Sequence, residues 1–266
     1  MNLWIGTSGF QYAEWKGTFY PETMPAAKML PYYAERFTTT EVNYSFHRIP
    51  SAKTIEGWYQ TTPGRFKFSL KAPQKVTHFA KLRNCGDTMR YFHQVISDLE
   101  GKLGCVLFQL PPALKKDAAL LGAFLADVPN GMRGAFEFRD PSWFDEEVYD
   151  LLRSKNLALC IAESEKLSTP FVATAQYGYL RLRREDYQDT DMARWADVIR
   201  AKEGIWSDAF VYLKHEESGM GPRLAAQLIA LLEGNSNTLD AAQAASSSSS
   251  SVATQQPGAS ASPESK

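Results

Sequence analysis

Cysteine is scarce, with three in 266 residues, and an odd number of thiols excludes a complete disulfide framework. Cys105 and Cys160 lie inside apolar runs, where a thiol behaves as a small buried hydrophobe. A reducing cytoplasm is the expected home. No run approaches the roughly 18 to 20 apolar residues of a membrane span, and no basic stretch leads into an apolar one at the start, so neither a membrane nor a secretory leader is expected. Net charge of one sign is missing as well: 29 basic and 30 acidic residues leave −1. Charge therefore does not indicate extended duplex nucleic acid, and nucleic acid stays open only through a local anion site. GxSxG, GxGxxG, P-loop, HExxH and paired CxxC patterns are also absent, which leaves a serine nucleophile, a dinucleotide cofactor and a zinc finger without support.

What is present is a repeat. Short apolar runs recur about every 25 to 35 residues: LWIGTS, TTTEVN, RFKFSLK, GCVLFQL, RGAFEFR, LALCIAE, YGYLRLR and AFVYLKH. Between them, helical spacing covers 26–37, 51–60, 88–99, 118–128, 145–154, 191–202 and 222–232. Ser51, Asp87, Asp117 and Asp145 stand where an N-cap oxygen would accept orphan backbone N–H groups. The stretch SEKLSTPFVATA after Glu163 has Pro170 and β-branched residues, so the sixth helix is expected to be degraded to a turn at most. Alternation of this kind builds an α/β fold. An open doubly wound sheet competes, but eight units starting at Leu3 favour an irregular TIM-type barrel of parallel strands spanning 1–234. A 44% hydrophobic content suffices for its core. Residues 235–266, rich in Ala and Ser with a run from Ser246 to Ser251, have too little apolar surface to offset ordering entropy and read as a disordered tail.

Most of the strand candidates end in polar groups: Glu41, Asn43, Lys71, Gln109, Glu137, Arg139, Glu163, Arg181, Arg183 and Lys214. In a parallel barrel that is the ligand-binding face. Side chains at i and i+2 share a face, so Glu137 and Arg139 turn into the mouth while Phe136 and Phe138 turn outward. The same alternation sends Arg181 and Arg183 in and Leu180 and Leu182 out. Glu41 and Glu137 then face Lys71, Arg139, Arg181, Arg183 and Lys214, a surplus of cations that suits a small anionic ligand. Pairing of these charges with one another, for instance Glu137 with Arg139 or Lys71, is the structural alternative. After the eighth strand, Ser218-Gly219-Met220-Gly221-Pro222 puts Pro at an expected first helical position, and Gly219 and Gly221 are phosphate-binding candidates through backbone N–H groups. The first loop carries Phe10, Tyr12, Trp15, Phe19 and Tyr20, and Tyr44, Phe46 and Trp143 also follow strand ends. Tyr12, Trp15 and Trp143 are candidate stacking surfaces for a ligand, with packing of the rim as the alternative. His78 joins the binding candidates. His78, Glu41, Glu137 and His215 can converge from different strands, but the nearby cations oppose a divalent ion, so no metal is expected and no cofactor is specified.

Ile5-Gly6-Thr7-Ser8-Gly9-Phe10, followed by Tyr12, Trp15, Gly17 and Phe19-Tyr20-Pro21, resembles the opening of the YecE-like family, the domain of unknown function 72. The resemblance continues through Tyr32-Tyr33-Ala34, Glu41-Val42-Asn43, Phe66-Lys67-Phe68, Lys71, Thr77-His78, Leu107-Phe108-Gln109-Leu110-Pro111-Pro112, Glu137-Phe138-Arg139 and Ser142-Trp143. It covers most of residues 1–183 in order and implies an irregular barrel. Near the end the chain departs from the family. Where many members resemble YxRxHG, it reads Tyr179-Leu180-Arg181-Leu182-Arg183-Arg184, and an FNN-like ending reads Leu213-Lys214-His215. Cations there replace neutral or histidine groups. The implied fold is similar to that of endonuclease IV and sugar isomerases, which suggests phosphorylated sugar or nucleic-acid chemistry by analogy of fold.

Two functions follow. One is an enzyme, a hydrolase or isomerase, acting on a phosphorylated or otherwise anionic sugar-like or nucleotide-like substrate. Its general acid/base is Glu137 or Glu41, its electrostatic partner Lys71, and its anion clamps Arg139, Arg181 and Arg183. The other is a non-catalytic protein that binds an anion or nucleic acid through the same mouth. A raised carboxyl pKa at Glu137 favours the first, and a fully ion-paired Glu137 favours the second. The pattern is silent on oligomeric state.

Overall fold

Each of the eight apolar runs forms a strand: β1 (Asn2–Ser8), β2 (Thr39–Val42), β3 (Lys67–Lys71), β4 (Leu103–Gln109), β5 (Gly134–Glu137), β6 (Ala158–Glu163), β7 (Tyr177–Leu182) and β8 (Asp208–Leu213). In this computed structural model, which describes residues 1–165, 167–215 and 219–234, the strands pair in parallel and in sequential order. β8 returns to β1, closing the barrel. The helices are α1 (Ala26–Ala34), α2 (Tyr44–His47), α3 (Ala52–Gln60), α4 (Gly86–Ser97), α5 (Ala118–Asp127), α6 (Glu146–Ser154), α7 (Asp189–Arg200) and α8 (Met220–Glu233). The low-complexity segment 235–266 and Ser218 lie outside the described residues.

Local chemistry sets the helix starts. Ser51 accepts from Thr54 N, Asp117 from Leu120 N and Asp145 from Glu147 N, each satisfying an orphan donor of a first turn. Asp87 does not cap. The chain leaves left-handed conformations at Leu82 and Asn84 and enters α4 at Gly86, which puts Asp87 inside the first turn, paired with Arg90. α7 likewise begins at Asp189, because the Asp191 carboxylate reaches back to Gln188 N at 2.9 Å. Pro222 is the third residue of α8, still within the turn whose N–H groups have no intrahelical partner.

Two apolar layers result from strand alternation. Inside the barrel, Cys105, Leu107, Ala135, Cys160, Tyr179 and Tyr212 pack together. Outside, Phe108, Phe136 and Phe138 stack in a row toward the helices, with centroids 4.8 and 6.0 Å apart. The sixth unit has no helix among the described residues between Glu163 and Tyr177. The chain instead turns back along β6: Ser168 forms an antiparallel bridge with Glu163, and Thr169 N donates to Ala162 O. The Thr169 hydroxyl accepts from Ala162 N and the Thr174 hydroxyl from Leu159 N. Threonine side chains thus bond strand backbone where a helix would otherwise pack.

Candidate functional site

Paired registers bring the polar strand ends together at the mouth. Ser8 lies opposite Glu41, and Gln109 opposite Glu137, so side chains on one face of neighbouring strands meet. Arg181, on β7, reaches across the barrel between them. Its Nη2 donates to Glu41 Oε1 at 2.9 Å and its Nη1 to Glu137 Oε2. All three side chains are buried, with at most 2% exposure. Glu41 is completed by Ser8 Oγ and by the Tyr179 hydroxyl at 2.6 Å. Glu137 also accepts from Gln109 Nε2 at 2.8 Å and Arg183 Nη1 at 3.2 Å. Asn43 Nδ2 donates to Ser8 Oγ at 2.9 Å.

The charge state of Glu137 follows from these partners. Burial pushes its pKa up, but Arg181 and Arg183 pull harder, and the net shift is downward. A carboxylate held ionised in this way is a poor proton carrier near neutral pH. The ion-paired state is the one expected of a Glu137 that balances cations at the mouth. The expectation for Arg181 is corrected: two carboxylates occupy it inside the barrel, so it is a buried tether and not an open anion clamp. The structural alternative of internal pairing holds for Glu137, though with Arg181 and Arg183 as partners, not Arg139 or Lys71.

Lys71 stands apart. Its Nζ donates to Gln109 Oε1 at 2.7 Å and lies 3.9 Å from the centre of the Phe46 ring, and it forms no ion pair among the described residues. Burial first, then the Arg181 charge, lower its pKa to about 8. His78 is edge-on to the same Phe46 ring at 4.9 Å, and its Nδ1 is 2.9 Å from Thr77 Oγ1. Burial, then Lys71 and Arg139, lower its pKa, so it is neutral at pH 7. Arg139 is exposed and has no ion pair among the described residues. The Nε of Arg183 is buried and has no hydrogen-bond partner there.

Several aromatic and loop candidates pack into the rim. Trp143 is fully buried, stacked on Phe138 at 4.7 Å with Nε1 donating to Leu114 O. Trp15 is fully buried against Tyr12, Phe19 and Tyr20. Of the first-loop rings, Trp15 and Tyr20 are buried in this cluster, while Phe10, Tyr12 and Phe19 keep partial exposure. Tyr12 ties its hydroxyl to Ser8 O at 2.7 Å. Gly219, at φ 72°, and Gly221 are buried under the first loop, where added Cβ atoms would meet Thr18 and His215 O. The chain therefore approaches closely at both glycines, which leaves no room for a side chain at either position. Lys214 continues β8, its N–H donating to Leu182 O. Ser8 and Tyr179 were not singled out from the sequence. Extending the inward alternation of Arg181 by two residues would have found Tyr179. Among the described residues no group of three His, Cys, Asp or Glu gathers in a way that would hold a metal ion, and no helix is long and apolar enough to cross a membrane.

A closed parallel barrel with a polar network at its C-terminal mouth defines the class. The chain belongs to the family described as "Protein of unknown function DUF72", whose model matches residues 4–248. It is 30% identical over 166 residues to the UPF0759 protein YunF of Bacillus subtilis (strain 168), covering 56% of this chain and 54% of that one. It is 29% identical over 113 residues to the UPF0759 protein YecE of Escherichia coli (strain K12), covering 42% of each. The matches thus span about half the length of these curated relatives. A DUF72 family protein from Thermotoga maritima MSB8 superposes with a TM-score of 0.79 at 25% identity, covering 88% of this chain and 100% of that one. A second, from Enterococcus faecalis V583, superposes at 0.72 with 16% identity over 87% and 95%.

Proposed function

We propose that the barrel mouth binds a small anionic ligand, of the phosphorylated sugar or nucleotide kind, and that Lys71 is the group that exchanges a proton with it. The observation that carries this reading is the allocation of charge. Arg181 engages both buried carboxylates, which leaves Lys71 and Arg139 without acidic partners. An anion at the mouth would meet these two cations, the neutral His78 as a hydrogen-bonding group, and the Nε of Arg183. Lysine with a lowered pKa is suited to general acid/base work near neutral pH. Free thiols at Cys85, Cys105 and Cys160, all buried, fit a reducing compartment such as the cytoplasm.

The test is a thermal-shift screen of sugar phosphates and nucleotides, followed by turnover of the ligand that binds. Lys71→Met is expected to lower turnover by about a hundredfold or more while the protein still binds ligand. Turnover of the parent should rise as pH passes through about 8, where Lys71 loses its proton. The second reading, a non-catalytic anion-binding protein, is favoured by the ion-paired state of Glu137. It is the correct one if a tightly bound ligand is recovered unchanged from the parent.

A further inference from the structure

The missing sixth helix leaves the flank of β6 incompletely covered. Between Ile161, the segment 168–171 and α7 lies a cleft of about 410 Å³, within the size range of small-molecule sites. Its apolar wall comes from Ile161, Ala162, Phe171, Trp195 and Val198. Its one acidic lining group, Glu163, is fully committed: it accepts from Arg194 Nη2 at 2.8 Å, Trp195 Nε1 at 2.9 Å and the Tyr187 hydroxyl at 2.8 Å. Lys202, at the opposite rim, has no ion pair among the described residues, and its Nζ lies 4.8 Å from the centre of the Phe171 ring.

We infer that this cleft is a second ligand site, separate from the mouth, that takes a flat apolar monoanion such as an aromatic carboxylate. The ring of such a ligand would lie against Phe171, Trp195 and Val198, and its carboxylate would meet Lys202. Glu163 and Arg194 cancel each other, so Lys202 supplies the one uncompensated charge and sets the sign of the ligand. A cationic ligand would meet no unpaired carboxylate, because Glu163 is already paired with Arg194.

Calorimetric titration with 2-naphthoate tests the assignment, with 2-naphthamide as the neutral isostere. The parent should bind naphthoate saturably with a Kd below about 1 mM. The amide and Lys202→Met should each weaken binding by about threefold to fivefold, as removal of one exposed charge pair does. Val198→Trp, which fills the cleft, should weaken it by about tenfold or more. Where a melting curve shows that Val198→Trp does not fold, Ala201→Phe on the exposed rim takes its place. Lys71→Met, at the mouth, should leave the affinity for naphthoate as it is in the parent. The assignment is overturned by a parent that does not saturate, by a folded cleft-filling variant that binds as the parent does, by an amide as tight as the acid, or by loss of binding in Lys71→Met.

Discussion

Arg181 is the residue on which the mouth depends, because it alone bridges Glu41 and Glu137 through its two Nη atoms. Removing one member of a buried pair leaves an uncompensated charge, so Glu137→Gln should cost about 3 to 5 kcal/mol in urea unfolding at pH 7. The pH dependence has a definite sign. The folded pKa of Glu137 lies below the unfolded value, so its stabilisation is present above about pH 4.3 and is lost as pH falls through the folded pKa. The cost of Glu137→Gln should therefore shrink in acid, and a constant cost would mean that the carboxylate is not held ionised. Lys71 works the other way. Its folded pKa of about 8 lies below the unfolded value of about 10.4, so the unfolded chain binds the extra proton in that window and stability rises with pH across it. Relative to the parent, Lys71→Met should be most stabilised at pH 7 and should lose that advantage by about pH 10. Urea titrations of both proteins at several pH values measure it, and a difference that stays flat with pH would contradict the burial assigned to Lys71.

At the scale of elements, the seam between β1 and β2 allows no side chain at Gly6, because a Cβ there would collide with the Thr39 carbonyl and lie 2.8 Å from the Tyr33 hydroxyl. Gly6→Ala should destabilise the barrel by at least about 3 kcal/mol, as overpacking against backbone does. Asp145→Ala removes the cap of α6 and should cost about 1 kcal/mol. Denaturant midpoints read both, and a Gly6→Ala variant as stable as its parent would show that the seam can open. Elements of this kind were legible in the sequence because strand alternation and capping chemistry are local. Ser51, Asp117 and Asp145 announce their helices, and Pro170 with its β-branched neighbours announces the lost sixth one. Asp87 misled because the preceding left-handed residues, which no periodicity reveals, start α4 early. Trp15 and Trp143 misled because an aromatic residue just past a strand end reads the same whether it faces ligand or packs beneath the rim.

For the whole molecule, closure of the barrel turns a list of strand-end residues into a site. Alternation on single strands turned Glu137 inward with Arg139, and Arg181 inward with Arg183; in the barrel Glu137 meets Arg181 and Arg183, while Arg139 is exposed. Alternation did not reveal that Arg181 would span from β7 to both β2 and β5, since that depends on the diameter and stagger of the closed sheet. This cross-brace converts an apparent acid/base pair into a neutralised core and leaves the cationic surplus at Lys71 and Arg139. The most direct test is a thermal melt in increasing phosphate at constant ionic strength, with the parent beside the Lys71→Met, Arg139→Gln double variant. The parent should be stabilised in a saturable way, by about 2.7 kcal/mol at a hundredfold excess over Kd, and the double variant should gain little. Equal stabilisation of the two proteins, or none in the parent, would contradict an anion site at the mouth.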